Sequence, residues 1–377
     1  MFLTIIFVVI IFSIIIIVHE AGHLFAAKKC GVKVEVFSLG FGRRLFGVKK
    51  GGTDYRISLF PLGGYVKMAG EEPSEVTGKE DELASKPVGQ RFWIIAAGSL
   101  TNYFFAFVLF SIVYMLGAPM LSTEIGEVLR EYPAAQAGLK AGDQILAING
   151  SGVKYWEDVV KEIQRSPVSG HTLDMEVMRG EKRVKIDVKP DIRETKNIFG
   201  QPITRYMIGI APARKVLPVS YDPLRALYYG GKKLLTLTGM TYQGIWLLVS
   251  GALPLGASVT GPIGIARLMG EAVHLGVVPL LVITAHISMA LGIFNLLPFP
   301  VLDGGHIIFL GLEKLRGKPL SVKAQEIITQ IALVLLIVFM LFVSWQDLLK
   351  FTPLGKRGIE KQKSVSLASD SAKKQKA

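Results

Sequence analysis

The chain has 377 residues, of which 50% are hydrophobic and 19% charged, and its mean hydropathy is +0.42. This composition is too apolar for an ordinary soluble domain and indicates a membrane protein. The formal net charge is +13, but the segment 350–377 alone holds eight Lys or Arg against two acids. Basic residues that flank membrane spans and face anionic lipid explain this charge more simply than nucleic-acid binding does. Cys30 is the only cysteine, which excludes an internal disulfide and a cysteine-rich metal site.

Four apolar segments are long enough to cross a bilayer, which takes about 20 helical residues. They are 2–24, 92–116, 278–302 and 325–345. The first has no basic residue ahead of its apolar run, so we interpret it as a retained span and not as a signal peptide. Residues 224–248 are too mixed for a span. They are predicted to form an amphipathic helix on the outer membrane surface, with a further span as the alternative.

The first span ends in the motif HEAGH, from His19 to His23. Ionisable residues at membrane depth cost about 2–3 kcal/mol or more each, so three of them in one span indicate a function. On a helix His19 and His23 share a face and Glu20 projects beside them. This spacing is that of a zinc site with an adjacent general base. A proton path and an interhelical hydrogen-bond cluster are the alternatives.

Basic residues cluster directly after the first span, and the positive-inside rule therefore places the loop 28–91 in the cytoplasm. The loop 304–323 is then also inside, and 117–277 lies outside. Within the first loop, 53–60 alternates like a strand, and 61–68 follows as a turn into a second extended piece. These segments predict a membrane-associated β-hairpin whose open edge suits an extended peptide. An ordinary juxtamembrane hairpin is the alternative.

Residues 122–212 are predicted to form a compact α/β module, with strands at 124–129, 173–178 and 184–188 and a short amphipathic helix at 156–164. Its run GLKAGDQILAING, from Gly138 to Gly150, closely resembles a PDZ domain of the bacterial protease type. The resemblance implies a groove that takes an extended peptide, often a free C-terminus, by strand addition. A domain that only shields the membrane part sterically is the alternative.

The third span ends in NLLPFPVLDGGH, from Asn295 to His306. Pro298 and Pro300 must interrupt regular helix there and leave backbone polar groups unpaired. At membrane depth such backbone is tolerated only where it lines a buried or wet cavity. The two glycines that follow Asp303 allow a sharp turn beside its carboxylate.

A catalytic zinc site commonly has three protein ligands and one open position, so the two histidines need a partner. His19 lies about 27 Å along the first span, near its inner end, and Asp303 lies at the inner end of the third span, so the two can meet. His306 is the alternative ligand. His286 is up to about 25 Å from Asp303 along a helix, and we predict that it is an interhelical hydrogen-bonder.

Together, HEAGH in the first span, the PDZ-like module and the segment NLLPFPVLDGGH resemble site-2 proteases of the RseP type, which are bacterial intramembrane zinc metalloproteases. The segment TGPIGI, 260–265, also resembles a family signature. The resemblance implies a Zn²⁺ ion as cofactor. The implied site residues are His19, His23 and Asp303 as metal ligands, Glu20 as catalytic base, and Asn295, Gly63, Gly64 and Tyr65 as substrate-binding residues.

The implied fold is a polytopic α-helical protein of the bacterial inner membrane, with four transmembrane helices, a cytoplasmic-side β-hairpin and one extracytoplasmic PDZ (α/β) domain. The active site lies near the cytoplasmic face. The predicted domains are 1–27 (first span), 28–91 (cytoplasmic loop with hairpin), 92–118 (second span), 122–212 (PDZ domain), 213–277 (extracytoplasmic amphipathic helices), 278–305 (third span), 325–346 (fourth span) and 347–377 (basic, disordered tail).

The implied activity is peptide-bond hydrolysis in transmembrane segments of pre-cleaved single-pass proteins, such as an anti-sigma factor, or of signal-peptide remnants. Expected partners are this substrate, a peptide in the PDZ groove and membrane lipid, with no nucleic acid. A membrane PDZ scaffold with a structural metal site and an ion transporter are the alternatives. A scaffold has no need of Glu20, and a transporter usually shows an inverted repeat, which is not evident in the sequence.

The sequence departs from the family pattern at two points. Ser99 follows Gly98 in the second span, where the family usually has proline. We expect this serine to change the local kink and to leave the site residues untouched. The chain also has room for one PDZ domain only, whereas the enterobacterial member carries two in tandem, so substrate gating by a tandem pair is not implied here.

Overall fold

The computed structural model describes residues 2–165, 172–253 and 259–351. The described helices are α1 (Phe2–Lys29), α2 (Val88–Leu116), α3 (Pro133–Gln136), α4 (Trp156–Gln164), α5 (Pro223–Val249), α6 (Pro262–Leu275), α7 (Val277–Asn295), α8 (Asp303–Arg316) and α9 (Val322–Phe351). The strands are β1 (Val34–Lys50), β2 (Thr53–Met68), β3 (Ala118–Leu121), β4 (Ile125–Val128), β5 (Gln144–Ile148), β6 (Ser151–Gly152), β7 (Leu173–Arg179), β8 (Lys182–Val188), β9 (Asp191–Lys196), β10 (Pro202–Met207), β11 (Ile210–Pro212) and β12 (Val216–Val219).

Four helices within these ranges are long and apolar enough to cross a membrane. They are Ile5–Lys29, Val88–Leu116, Val277–Asn295 and Val322–Lys350. Each overlaps one of the four predicted spans. Helix α5, which covers the mixed segment 224–248, is not among the four.

Two predicted boundaries differ from the structure, that of the loop 304–323 and that of the tail 347–377. The segment 304–323 was expected to be a loop, but its first part is α8, which begins with Asp303 in the first turn and ends before the left-handed Gly317. The fourth span does not end at 346, because α9 continues to Phe351. The remainder of the predicted tail, 352–377, lies outside the described residues.

The third apolar segment stops being helical where its prolines predict. Helix α7 ends at Asn295, and Leu296 is its C-cap residue. Seven residues without regular helix, 296–302, then lead into α8. Because α8 begins directly at Asp303, the helix start fixes the backbone of this residue next to the interrupted segment.

The first loop folds into a long antiparallel pair, β1 and β2. The strands are joined by the Gly51–Gly52 dipeptide, whose φ angles of +60° and +80° suit a tight hairpin turn. The turn predicted within 61–68 is therefore wrong, since all of these residues lie inside β2. Leu39 pairs with both Ile57 and Gly64, so β2 bends and follows β1 on two sides.

The described residues divide into two compact units. One contains those of 1–111, 230–248 and 254–377, and the other contains those of 112–229 and 249–253. The first unit holds the apolar helices and the hairpin. Its buried clusters join α1 to the hairpin and α2, α2 to α5 and α7, and α1 to α6 and α7.

The second unit contains the α/β module. Its main sheet has the strand order β6-β5-β7-β8, and α4 packs on the same buried cluster. Asp143, within the PDZ-like sequence run, is 1% exposed and accepts hydrogen bonds from Arg179 and from the main-chain N–H of Lys140. Burial raises the pKa of this carboxyl, but these bonds and the Arg179 charge outweigh burial and hold it below its usual range. The motif residue thus ties the turn before β5 to the end of β7.

Candidate metal centre

Helix α1 carries the two histidines of the HEAGH motif on one face, as their i, i+4 spacing predicts. The Nε2 atoms of His19 and His23 lie 3.2 Å apart, and both residues are buried. The Nδ1 atom of His23 hydrogen-bonds the main-chain carbonyl of Ile94 at 2.9 Å. Because Nδ1 donates to this carbonyl, Nε2 of His23 carries the free lone pair that a metal requires.

Asp303 completes a cluster with the two histidines. Its Oδ2 atom lies 3.5 Å from His19 Nε2 and 3.7 Å from His23 Nε2. Around a tetrahedral zinc ion with bonds of about 2.0–2.2 Å, ligand atoms lie roughly 3.3–3.6 Å apart. The observed edges of 3.2, 3.5 and 3.7 Å lie within 0.1 Å of this range, so the triangle fits a zinc ion. Two imidazoles and one carboxylate are also donors that catalytic zinc accepts.

The alternative ligand, His306, lies in the same cavity but is not a member of this three-residue cluster. Its ring contacts Phe309, one turn along α8. His286 is not an interhelical hydrogen-bonder. Its Nδ1 bonds the carbonyl of Val282 in its own helix at 2.7 Å, and its ring meets Phe110 of α2 edge-on. Burial at membrane depth makes the helix's own i−4 carbonyl the nearest partner for such a ring.

Ser99 does not leave the site residues untouched, contrary to the expectation from sequence. Its hydroxyl donates a hydrogen bond of 2.9 Å to Oδ2 of Asp303, across 204 positions of sequence. Nothing local in the sequence signals this contact, because it depends on how α2 is rotated against the start of α8. Helix α2 thus hydrogen-bonds His23 through Ile94 and Asp303 through Ser99.

A second link between α2 and α8 lies farther from the cluster. The guanidinium of Arg91 forms a two-point ion pair with the carboxylate of Glu313, at 3.0 and 2.5 Å. Both side chains are less than one-fifth exposed. Bidentate pairs of this kind fix the geometry of the groups they join as well as adding energy.

Two glycines allow α1 and α2 to approach at the cluster. A Cβ atom on Gly22 would lie 2.4 Å from the carbonyl oxygen of Ala97, and one on Gly98 would lie 2.2 Å from Nε2 of His23. Neither position has room for a side chain without movement of its neighbour. At Gly98 that neighbour is the candidate ligand atom itself.

The variant Gly98→Ala is therefore expected to displace His23 and to lower the zinc affinity of the purified protein markedly. Gly89→Ala is a matched control, because nothing lies within 4 Å of a Cβ at that position of the same helix. Zinc titration of both variants in detergent is the measurement. Equal zinc affinity of Gly98→Ala and the unchanged protein would show that His23 does not need this space.

Glu20 and the candidate ligands line a cavity of about 510 Å³. The lining residues are His19, Glu20, His23, Tyr65, Val66, Met68, Glu71, Glu72, Leu83, Ile95, Asp303, His306, Val322, Gln325, Glu326 and Thr329. Sequence reasoning missed Glu71, whose carboxylate accepts a hydrogen bond from the main chain of Met68. Burial raises the pKa of Glu71 above its usual range. Glu71 is thus one of the carboxyl groups that line the cavity together with Glu20 and Asp303.

The end of β2 lies directly on α1 at the catalytic candidate. A Cβ atom on Gly64 would be 3.1 Å from Ile16 and 3.4 Å from Cγ of Glu20. The strand backbone can come this close because Gly64 has no side chain. Tyr65 lines the cavity, and its ring stacks on Phe41 with centroids 6.0 Å apart. An extended backbone therefore runs along the wall of the cavity that holds Glu20.

The two remaining predicted residues lie at different distances from the cluster. The side-chain amide of Asn295, at the end of α7, has its Nδ2 atom 3.5 Å from Nε2 of His19. Gly63 has φ +129° and would place a Cβ 2.2 Å from the ring of Phe41. Asn295 is thus beside the candidate ligands, whereas Gly63 packs on β1.

A known protein family matches most of this chain. The sequence model for peptidase family M50 matches residues 7–339. A putative zinc metalloprotease of Agrobacterium fabrum is 32% identical over 90% of this chain and 94% of its own length. The regulator of sigma-W protease RasP of Bacillus subtilis is 30% identical over 92% and 98%, and protease RseP of Yersinia pestis is 29% identical over 89% and 96%.

Among solved structures, the PDZ domain of an SdrC-like protein of Listeria monocytogenes is 28% identical to this chain, with a TM-score of 0.19. The match covers 24% of this chain and 86% of that domain. The family match spans the HEAGH motif, the α/β module and Asp303 in one alignment. The chain belongs to peptidase family M50 and is a zinc metalloprotease.

Proposed function

We propose that this chain hydrolyses peptide bonds within the membrane, with His19, His23 and Asp303 as the zinc ligands and Glu20 as the general base. The observation that carries the proposal is the convergence of the three donor atoms in one cavity with the Glu20 carboxylate. Zinc bound there supplies Lewis acidity, which polarises the scissile carbonyl and acidifies a water molecule.

Glu20 has two roles in this reaction. As a carboxylate it accepts the proton of the attacking water, and as a carboxylic acid it returns that proton to the leaving amine. Its position one residue after His19 places it against the same cavity as the ligands. General acid–base catalysis of this kind contributes about 10²–10⁴-fold to the rate.

The substrate must be extended at the site, because a helix hides its own carbonyl groups. We infer that it pairs with the end of β2, where Gly64 and Tyr65 lie on the wall of the cavity beside Glu20. Strand addition satisfies the substrate's main-chain groups at a depth where water is scarce. The Asn295 amide is placed to hold a substrate carbonyl next to His19.

The substrate class we propose is a single-pass membrane protein whose outer part has already been trimmed, such as an anti-sigma factor or a signal-peptide remnant. One relative is named a regulator of sigma-W protease, and family relatives are bacterial proteases. We propose further that the α/β module is an extracytoplasmic PDZ domain that binds an extended peptide, and that the site lies near the cytoplasmic face of the inner membrane.

The proposal is tested by comparing the cleavage rates of a trimmed and an untrimmed substrate. The protein is reconstituted in proteoliposomes with a single-pass substrate. One form of this substrate has a short stub outside its transmembrane segment, and the other has a folded outer domain. We expect the stub form to be cleaved much faster, with cleavage measured by mass spectrometry of the products. Equal rates would refute the requirement for trimming. Failure of zinc-loaded protein to cleave either form would refute intramembrane hydrolysis of this substrate class.

A further inference from the structure

Buried hydroxyl groups on apolar helices normally bond the carbonyl four residues earlier in the same helix, because that acceptor is always within reach. This chain follows the rule at many positions. Bonds of this type are made by buried or half-buried Thr101, Ser111, Thr238, Thr241 and Thr284. Ser99 lies on α2 two residues before Thr101, yet its hydroxyl donates to Asp303 on another helix.

Asp303 follows seven residues without regular helix and stands in the first turn of α8. The oxygen that accepts the Ser99 hydroxyl, Oδ2, is the one that faces both His19 and His23. Ser99 is 0% exposed, so water does not compete for this bond.

Resting on the zinc site proposed above, we infer that Ser99 is a positioning residue that orients Asp303 for metal binding. The hydroxyl holds Oδ2 toward the histidines before the metal arrives, which lowers the conformational freedom that binding would otherwise remove. Residues that orient a metal ligand in this way typically change metal affinity by about 10–100-fold when they are removed. In this chain the second helix thereby takes part in the metal site without supplying a ligand.

The test compares Ser99→Ala with Ser111→Ala. Both remove a buried serine hydroxyl from α2, but Ser111 bonds only the carbonyl of Phe107 in its own helix. It lies about 18 Å along the helix from Ser99. Zinc affinity of the full chain is measured by chelator competition, and the geometry of the site by the absorption spectrum of the cobalt-loaded protein. Should the alanine variant yield no folded protein, Ser99→Gly removes the same hydroxyl and adds no atom that could bind the metal.

We expect Ser99→Ala to bind zinc roughly tenfold or more weakly and to show a changed cobalt spectrum, with Ser111→Ala unchanged in both. An unchanged affinity or an unchanged spectrum in Ser99→Ala overturns the inference. An equal loss in both serine variants also overturns it, because the effect would then come from helix packing. Absence of zinc binding by the unchanged protein would instead refute the proposed metal site.

Discussion

Replacing Glu20 by glutamine is expected to abolish cleavage of a transmembrane substrate while zinc remains bound at full stoichiometry. Glutamine has nearly the same shape as glutamate but cannot accept the proton of the attacking water. The candidate ligands His19, His23 and Asp303 are unchanged in this variant. We expect the rate to fall by about 10²–10⁴-fold, measured on purified protein with a quantified zinc content.

Glu71→Gln is the matched control, because it removes another carboxyl group that lines the same cavity. It should retain most of the activity if Glu20 alone is the base. Full activity of the Glu20 variant would contradict our assignment. Loss of activity in the Glu71 variant with retention in the Glu20 variant would transfer the role to Glu71.

Replacing Asp303 by alanine is expected to empty the metal site and to remove activity with it. Only His19 and His23 would then be left as ligands, and two imidazoles are one ligand short of the usual catalytic zinc site. Zinc content after dialysis against a weak chelator is the measurement. His306→Ala is the control, since this histidine lines the same cavity but lies outside the three-residue cluster.

The variants Asp303→Ala and His306→Ala together show which residue is the third zinc ligand. Loss of zinc from Asp303→Ala and its retention by His306→Ala would support the proposed ligand set. The reverse pattern would make His306 the third ligand. Zinc contents equal to that of the unchanged protein in both variants would show that the histidines of α1 hold the metal with some other partner.

Local periodicity was sufficient to predict that His19 and His23 share one helix face. The predicted membrane topology was sufficient to place Asp303 close to them. His19 and His23 could be paired from sequence because a helix brings i and i+4 to one face. Asp303 could be placed because, in the topology predicted from the charged loops, the first and third spans run in the same direction and end at one level. The interruption after Asn295 followed from the two prolines, which cannot continue a helix.

The remaining features depend on tertiary contacts that local sequence patterns do not determine. The hairpin contains two sets of turn residues, Gly51–Gly52 and 61–64, and the pairing of β1 with β2 decides between them. Helix α8 was mistaken for a loop because its glycines and charged residues dilute its apolar pattern. The role of Ser99 depends on the rotation of α2 about its axis, and a one-residue rotation would turn its hydroxyl about 100° away.

The two links between α2 and α8 make the intervening part of α8 a spacer of fixed length. Ser99 holds the residue at its start, and Arg91 holds Glu313 ten residues later. Removal of a single residue between them would rotate Glu313 by about 100° and shorten the helix by about 1.5 Å. Substitutions between 306 and 312 therefore leave the carboxylate of Asp303 in place more readily than changes of length, which separate one link or the other. Gly304 and Gly305 are excluded from this range because a Cβ there would lie 2.2 and 2.3 Å from main-chain carbonyl oxygens.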